Sequence, residues 1–197
     1  MLPLVAALAL LTPASSVYST TTIATSSVAQ VPYYSQFADI TSPSWQKRGC
    51  GIASLAMVIG YYTGRDVSVD TLLAQGIKAG AYSPQGWTYK GLIGVAAGYG
   101  LGGESYDLAA QGHSAALKQL QQNLNDGPVI ASVHYKFDPK NPIPHLVVVD
   151  GIKNNLVYYN DPATKGADKT IALDTFVQAW KMRFIVLRPS ANKRLEA

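Results

Sequence analysis

Residues 49–62 read Gly-Cys-Gly-Ile-Ala-Ser-Leu-Ala-Met-Val-Ile-Gly-Tyr-Tyr and contain no charged side chain. Thr63 and Gly64 follow, and a glycine in this position is typical of a helix C-terminal cap. A helix that is apolar on every side lies inside a domain rather than on its surface. The pattern therefore predicts a buried central helix that begins near Cys50.

Cys50 is the single cysteine of the chain, and it lies in the first turn of this predicted helix. One cysteine excludes an intrachain disulfide and argues against a cysteine-based zinc site. Free cysteines are most often inert core residues, but such a residue would more naturally lie mid-helix, where Ala53 and Ala56 stand. The amides of a helix N-terminus stabilise a thiolate, and Gly49 and Gly51 leave room for a substrate. We therefore interpret Cys50 as a nucleophile.

A thiol nucleophile needs a base, and the chain contains three histidines. His145 follows a proline-rich loop, residues 141–144, and opens the most apolar strand pattern in the chain. Such a strand can hold an imidazole rigidly at the rim of a sheet. His134 ends another predicted strand and is the alternative base, whereas His113 precedes a helix and has the character of a surface or capping residue. We predict that His145 is the base.

A third group should orient the imidazole and fix its tautomer. Asp161 ends the strand pattern that follows the strand of His145, and Asn154-Asn155 between the two patterns favours a hairpin turn. Residues near the same open end of a hairpin lie within a pair or two of each other. We therefore predict Asp161 as the orienting residue. Asp150 is a second candidate, ranked lower because it lies near the closed end of the hairpin.

An oxyanion formed during acyl transfer needs hydrogen-bond donors. The Cys50 backbone amide can supply one donor, and a side-chain amide upstream can supply another. Gln36 and Gln46 both precede Cys50. We predict Gln36, because it closes residues 31–36, which we interpret as a short, ordered strand, whereas Gln46 lies in a predicted loop beside two charges.

The rest of the chain predicts an α+β fold, in which helices come first and strands second. A helical layer, with the Cys50 helix buried at its start, is expected to pack on an antiparallel β-sheet. Residues 37–48 are predicted as a loop. The predicted helices cover residues 68–78, 88–98, 114–125 and 174–180, and the predicted strands cover residues 129–135, 146–153, 156–160 and 183–187.

The length of 197 residues suits one domain with short tails. Residues 1–16 are predicted as a signal peptide, because their ten-residue apolar run is too short to span a bilayer and small residues follow it. The run lacks a preceding Lys or Arg, so either the signal is atypical, or the recorded start is misplaced, or the run is an anchor fragment. We favour export. Residues 17–30 form a Ser/Thr-rich linker, residues 31–189 the domain and residues 190–197 a tail. We expect a secreted, periplasmic or cell-envelope protein without a membrane span.

The composition is that of an ordinary globular protein, with 48% hydrophobic and 14% charged residues. The formal net charge is +4, and no long run of Lys and Arg is present, so we exclude nucleic acid as a partner. Neither a metal nor an organic cofactor is required, and a monomer is expected. The aromatic residues Tyr82, Trp87 and Tyr89, together with Trp45, are candidates to line a cleft. Aromatic residues at such positions more often serve core or rim packing, so we assign them no role in a site.

Several of these segments resemble the double-glycine-peptidase-like family. This family is the stand-alone relative of the bacteriocin-processing peptidase domains that are fused to export transporters. The resemblance implies a papain-like cysteine protease fold and thiol peptidase chemistry, and it extends over residues 31–187. The segments that carry it are residues 31–36, Trp45, residues 50–62, 128–130, 145–149 and 158–162.

The family's Gln, Cys, His and Asp positions match Gln36, Cys50, His145 and Asp161. These four residues predict a cysteine peptidase that acts on a peptide or protein through a Cys-His-Asp triad and an acyl-enzyme. The alternatives are a catalytically silent papain-like binding module and a thiol acyltransferase or transpeptidase. Gln36 lies 14 positions before Cys50, farther than is usual in the transporter-fused enzymes, so cleavage after Gly-Gly is not carried over.

Overall fold

A computed structural model describes residues 28–190 of the chain. The predicted signal peptide, most of the predicted linker and nearly all of the predicted tail lie outside these residues. The backbone amide of Ala29, near the end of the predicted linker, donates a hydrogen bond of 3.0 Å to the carbonyl of Asp150. Within residues 28–190, no helix is long and apolar enough to cross a membrane.

Six α-helices occur within the described part of the chain, and five of them lie close to predicted helices. The sixth, α1, is a single turn inside the segment that was predicted as a loop; Pro43 starts it, a position where the missing proline N–H is not needed. In chain order the helices are α1 Pro43–Gln46, α2 Cys50–Thr63, α3 Val69–Lys78, α4 Tyr89–Ala97, α5 His113–Leu124 and α6 Leu173–Ala179.

Eight strands occur in the same residues, and six of them form one antiparallel sheet. Its spatial order is β3-β8-β4-β5-β6-β7, and the first two strands form a separate small hairpin. The strands are β1 Tyr82–Ser83, β2 Gly86–Trp87, β3 Leu101–Asp107, β4 Val129–His134, β5 Pro144–Lys153, β6 Leu156–Asn160, β7 Lys169–Ala172 and β8 Trp180–Pro189.

The large sheet is covered by helices on both faces. On β5, Leu146 and Val148 pack in the core on the α2–α4 side, while Val147 and Val149 pack in the core beneath α5 and α6. This is why β5 has a continuous apolar sequence instead of an alternating one. The sequence predicted one helical layer packed on the sheet. The structure has a second helical layer on the other face of the sheet.

Helix α2 is the buried central helix that the sequence predicted. Its residues from Gly51 to Gly60 are all buried. Gly64 caps the helix in the left-handed conformation, with φ of 64°, and its N–H donates to the Gly60 carbonyl at 2.9 Å. Ser54 Oγ, one turn after Cys50, donates to the Leu146 carbonyl of β5 at 3.2 Å, which ties the helix to the sheet.

Two predictions about the secondary structure were wrong. Residues 31–36 are not a strand, because Pro32 has no N–H and the backbone amide of Gln36 instead donates to the carbonyl of Pro162, at 2.9 Å. The helices also do not all precede the strands, since β3 lies between α4 and α5. Strand β3 is largely exposed and contains two glycines, so it lacks the apolar alternation that marks a strand.

Candidate active site

Cys50 is the first residue of α2 and is partly exposed. Its two flanking glycines are required by packing, because a Cβ atom at Gly49 would lie 2.2 Å from Ile40 Cδ1 and one at Gly51 would lie 2.7 Å from the Trp87 ring. From the sequence, these glycines were expected to leave room for a substrate. The structure shows that protein side chains fill the space beside them instead.

His145 and Asp161 lie side by side in the interior, as the hairpin argument predicted. His145 belongs to β5, and Asp161 directly follows β6; each is only 3% exposed. His145 Nε2 lies 2.6 Å from Asp161 Oδ1. The same carboxylate oxygen accepts the Ala163 backbone N–H at 2.8 Å. The carboxylate is therefore held in place on the backbone side while it orients the imidazole.

The imidazole of His145 also faces Cys50. Burial alone lowers the pKa of His145, but the hydrogen bonds to Asp161 and to Cys50, with the charges of both groups, raise that pKa to about 9. Because Nε2 is bonded to Asp161, the ring nitrogen left for the thiol is Nδ1. Tyr135 packs edge-on against the imidazole, with ring centroids 5.2 Å apart. The structure thus brings together Cys50, His145 and Asp161.

Gln36 lies beside this group of three, in a turn rather than at the end of a strand. Its side chain is buried against Gly49, and its Nε2 donates a hydrogen bond of 2.7 Å to the Gln46 carbonyl. Gln46 Nε2 in turn donates to the Ile40 carbonyl at 2.9 Å. Gln46 therefore supports Gln36 and accepts one of the two N–H groups of Gln36 Nε2.

The other candidates from the sequence have different partners. His134 Nδ1 lies 2.7 Å from the Asn141 carbonyl, and His113 is exposed at the start of α5. Asp150 is buried, and its partner is Asn160 Nδ2, 3.0 Å from Asp150 Oδ2. Within residues 28–190, no group of three His, Cys, Asp or Glu side chains could hold a metal ion.

Two cavities meet at Cys50 and His145. One of about 260 Å³ is lined by both residues together with Gln36, Phe37 and Tyr135, among others, and we call it the Gln36 pocket. The other, of about 340 Å³, is also lined by both residues but not by Gln36, Phe37 or Tyr135. A larger cavity of about 440 Å³ lies near the C-terminal end of α2 and contacts none of the candidate site residues.

Aromatic side chains shape the 340 Å³ cavity, although no feature of the sequence favoured this over packing. Tyr82, Trp87 and Tyr89 line it, and Trp45 packs edge-on against Tyr82 with centroids 5.0 Å apart. The Trp87 Nε1–H donates to the Arg48 carbonyl at 2.6 Å. This bond fixes the chain just before Cys50, so Trp87 is both a packing residue and a wall of the cavity.

Comparison with known proteins identifies the family. The model of the peptidase C39 like family matches residues 28–184. The chain belongs to this family. C39-like proteins are cysteine peptidases, so the chain is an enzyme of the hydrolase class, and the predicted family relationship is confirmed. No curated protein matches the chain.

Solved C39 peptidase structures share the fold. A double glycine motif protease from an AMS/PCAT transporter, in complex with a leader peptide, is 26% identical to this chain with a TM-score of 0.59, covering 84% of this chain and 96% of that one. A C39-like peptidase from Bacillus anthracis is 21% identical with a TM-score of 0.57, covering 82% and 94%. The peptidase domain of Streptococcus ComA is 24% identical with a TM-score of 0.54, covering 73% and 93%. The α+β, papain-like fold predicted from the sequence is confirmed.

Proposed function

We propose that this C39-like enzyme hydrolyses peptide bonds with Cys50 as nucleophile, His145 as acid and base, and Asp161 as the group that orients His145. The observation that carries the proposal is the His145 Nε2 to Asp161 Oδ1 contact of 2.6 Å, with the imidazole also hydrogen-bonded to Cys50. A pKa of about 9 keeps His145 protonated at neutral pH. An imidazolium stabilises a neighbouring thiolate, which is the reactive form of a cysteine.

In the first half of the reaction, Cys50 Sγ attacks the scissile carbonyl carbon and a C–S bond forms. The carbonyl oxygen becomes an oxyanion, for which the Cys50 backbone N–H and Gln36 Nε2 are the proposed donors. The C–N bond then breaks, and His145 gives its proton to the leaving amine. The product is a thioester between Cys50 and the acyl part of the substrate.

In the second half, a water molecule gives a proton to His145 and its oxygen attacks the thioester. The C–S bond breaks, the carboxylic acid leaves and the thiolate–imidazolium pair is restored. Asp161 accepts the His145 Nε2–H throughout and stabilises the imidazolium. A peptide substrate is supported by the double glycine motif protease, which was solved with a leader peptide bound.

The test is hydrolysis of a set of internally quenched peptides, one of them ending its leader in Gly-Gly. We expect no hydrolysis by Cys50→Ala and a loss of about 10⁴ or more in kcat/KM for His145→Ala. His134→Ala is the matched control, because that residue is bonded to Asn141 instead, and it should stay near the wild type. Full activity in Cys50→Ala, or an equal loss in His134→Ala, would contradict the proposal.

Product analysis separates hydrolysis from the alternatives. The same reactions are run with an added primary amine, and the products are identified by mass spectrometry. A free acid as the main product supports the peptidase. An amide formed with the added amine in preference to the acid would show an acyltransferase, and absence of any product with wild-type protein would indicate a silent binding module.

A further inference from the structure

The 340 Å³ cavity beside Cys50 is lined, besides His145, by four lysine and arginine side chains and by no aspartate or glutamate. The cations are Lys47, Arg48, Lys181 and Arg183, and we call this cavity the cationic cleft. The formal net charge of the whole chain is +4. The four lysine and arginine side chains of the cleft thus place next to Cys50 a positive charge equal to the formal net charge of the whole chain.

Most of this charge is not neutralised by the protein. Arg183 Nε lies 2.9 Å from Asp107 Oδ2, in an exposed ion pair. Within residues 28–190, no carboxylate comes within ion-pairing distance of Lys47, Arg48 or Lys181, since the other ion pair found there joins His145 and Asp161. Three cations therefore remain available to a ligand.

The cations reach the cleft from two separate elements. Lys47 and Arg48 lie on the turn just before α2, whereas Lys181 and Arg183 lie on β8. Burial, and the neighbouring charge of Arg183, lower the pKa of Lys181. Like charges from two elements repel each other, and an anion between them would relieve that repulsion.

The walls of the cleft suit a side chain with an aliphatic stem and a polar end. Tyr82 and Trp87 provide apolar surface. Tyr89 and Ser132 also line the cleft, are hydrogen-bonded to each other, and bring hydroxyl groups to it. The Gln36 pocket differs, because Phe37, which lines it and not the cleft, is 44% exposed. Lys47 is the one lysine or arginine among its lining residues.

We propose that the cationic cleft selects peptide substrates with an acidic side chain, Asp or Glu, close to the scissile bond on that side of Cys50. The inference rests on the proposed peptidase function and adds the class of substrate. The carboxylate lies among Lys47, Arg48 and Lys181, and the stem of the side chain packs on Trp87 and Tyr82. The selectivity is electrostatic, so it weakens as the salt concentration rises.

The first experiment needs no substrate, because Cys50 is the only thiol in the chain. The rates of its alkylation by iodoacetate, an anion, and by iodoacetamide, its neutral analogue, are measured at low salt. The ratio of the two rates reports the local attraction of a carboxylate, while the iodoacetamide rate checks that the thiol itself is unchanged. The Lys47→Gln, Arg48→Gln, Lys181→Gln triple variant should lower the ratio on the order of tenfold.

The matched control is the Lys78→Gln, Lys118→Gln, Lys153→Gln triple variant, which removes three charges from exposed positions outside the cleft. This control should leave the ratio of the two alkylation rates near the wild-type value. His145 also attracts the iodoacetate anion, but it is present in every variant. A ratio that does not fall in the triple variant would overturn the proposal. An equal fall in the control would also overturn it, because the effect would then come from overall charge.

The second experiment uses pairs of quenched peptides that differ only in Glu against Gln at each position around the scissile bond. We expect kcat/KM to favour Glu at one position by several-fold, and Arg48→Glu with Lys181→Glu to shift the preference to Lys. Hydrolysis without any acidic preference would overturn this inference and leave the peptidase standing. No hydrolysis of any peptide, with an alkylation ratio that still falls, would overturn the peptidase and retain the anion-binding cleft.

Discussion

Asp150 and Asp161 are two carboxylates on one hairpin, and they are equally buried, with exposed fractions of 2% and 3%. Their partners differ. Asp161 Oδ1 accepts hydrogen bonds from His145 Nε2 and from the Ala163 amide, at 2.6 and 2.8 Å. Asp150 Oδ2 accepts one hydrogen bond from Asn160, and Asp150 Oδ1 has no hydrogen-bond partner in the described residues.

The difference shows that burial alone does not decide which carboxylate is the partner of His145. Burial raises the pKa of Asp150 to about 8; the hydrogen bond from Asn160 opposes this shift, and the charge of Asp168 adds to it. Asp150 therefore carries a proton at neutral pH and cannot stabilise an imidazolium. Asp161 faces His145, which is cationic in the same range because its pKa is about 9. The two carboxylates differ because Asp161 lies beside His145 on the hairpin, whereas Asp150 lies beside Asn160.

The largest expected effect is on turnover. Asp161→Ala should lower kcat/KM by about 10²–10³, because it removes the anion that holds the buried imidazolium. Asp150→Ala, a truncation of the same size on the same hairpin, should have much less effect at a temperature where both variants are folded. Steady-state kinetics with one peptide measures both. Equal losses in the two variants would break the comparison.

The next largest effect is on the unfolding free energy of the protein, and it comes from the protonation of Asp150. Its pKa in the folded state, about 8, exceeds the ordinary value of 3.8, so the folded state binds a proton more tightly than the unfolded state. The contribution of this proton to the unfolding free energy is complete below pH 3.8 and is lost as the pH rises to about 8. Relative to Asp150→Asn, the unfolding free energy of the wild type should fall by a few kcal/mol across this range.

Urea unfolding at several pH values measures this difference. His145 has the same sign, since its folded pKa of about 9 exceeds 6.5, but its contribution is constant below pH 6.5 and is lost towards pH 9. The interval from pH 4 to 6.5 therefore isolates Asp150. Parallel curves for wild type and Asp150→Asn in that interval would show that Asp150 is ionised in the folded protein.

The smallest effect is a shift in the pH profile. The wild type should lose activity above pH 9, where His145 gives up the proton that the leaving amine needs. Asp161→Asn keeps a hydrogen-bond acceptor but removes the charge, so the alkaline limb of kcat/KM should move about one pH unit towards neutrality. Asp150→Asn should leave the limb in place. NMR titration of the His145 ring gives the same pKa without substrate.

Local sequence was enough to choose between these two carboxylates. Asn154 and Asn155 form the turn with φ values of 52° and 60°, a left-handed conformation that Asn tolerates. The turn fixes the register, which pairs Val148 with Asn160 near the open end of the hairpin. Because the two strand patterns and the turn are adjacent in sequence, the placement of Asp161 near His145 could be predicted.

Other features could not be predicted because they depend on distant segments. The cationic cleft joins Lys47 and Arg48 to Lys181 and Arg183, and no local pattern links the turn before α2 to β8. Strand β3 owes its pairing to β8 rather than to its own sequence; a Cβ atom at Gly103 would lie 2.2 Å from the Val186 carbonyl oxygen. Such contacts come from tertiary packing, which overrides local propensity.

The hydrogen bond from Ser54 to the Leu146 carbonyl joins α2 and β5 at 3.2 Å. Ser54 is one helical turn from Cys50, and Leu146 is the neighbour of His145. Cys50 and His145 belong to different layers, so their spacing is set by how the layers are docked and not by either element alone. On gradual heating, a slight slip of the helix over the sheet is enough to stop catalysis, so inactivation should precede the loss of helical circular dichroism.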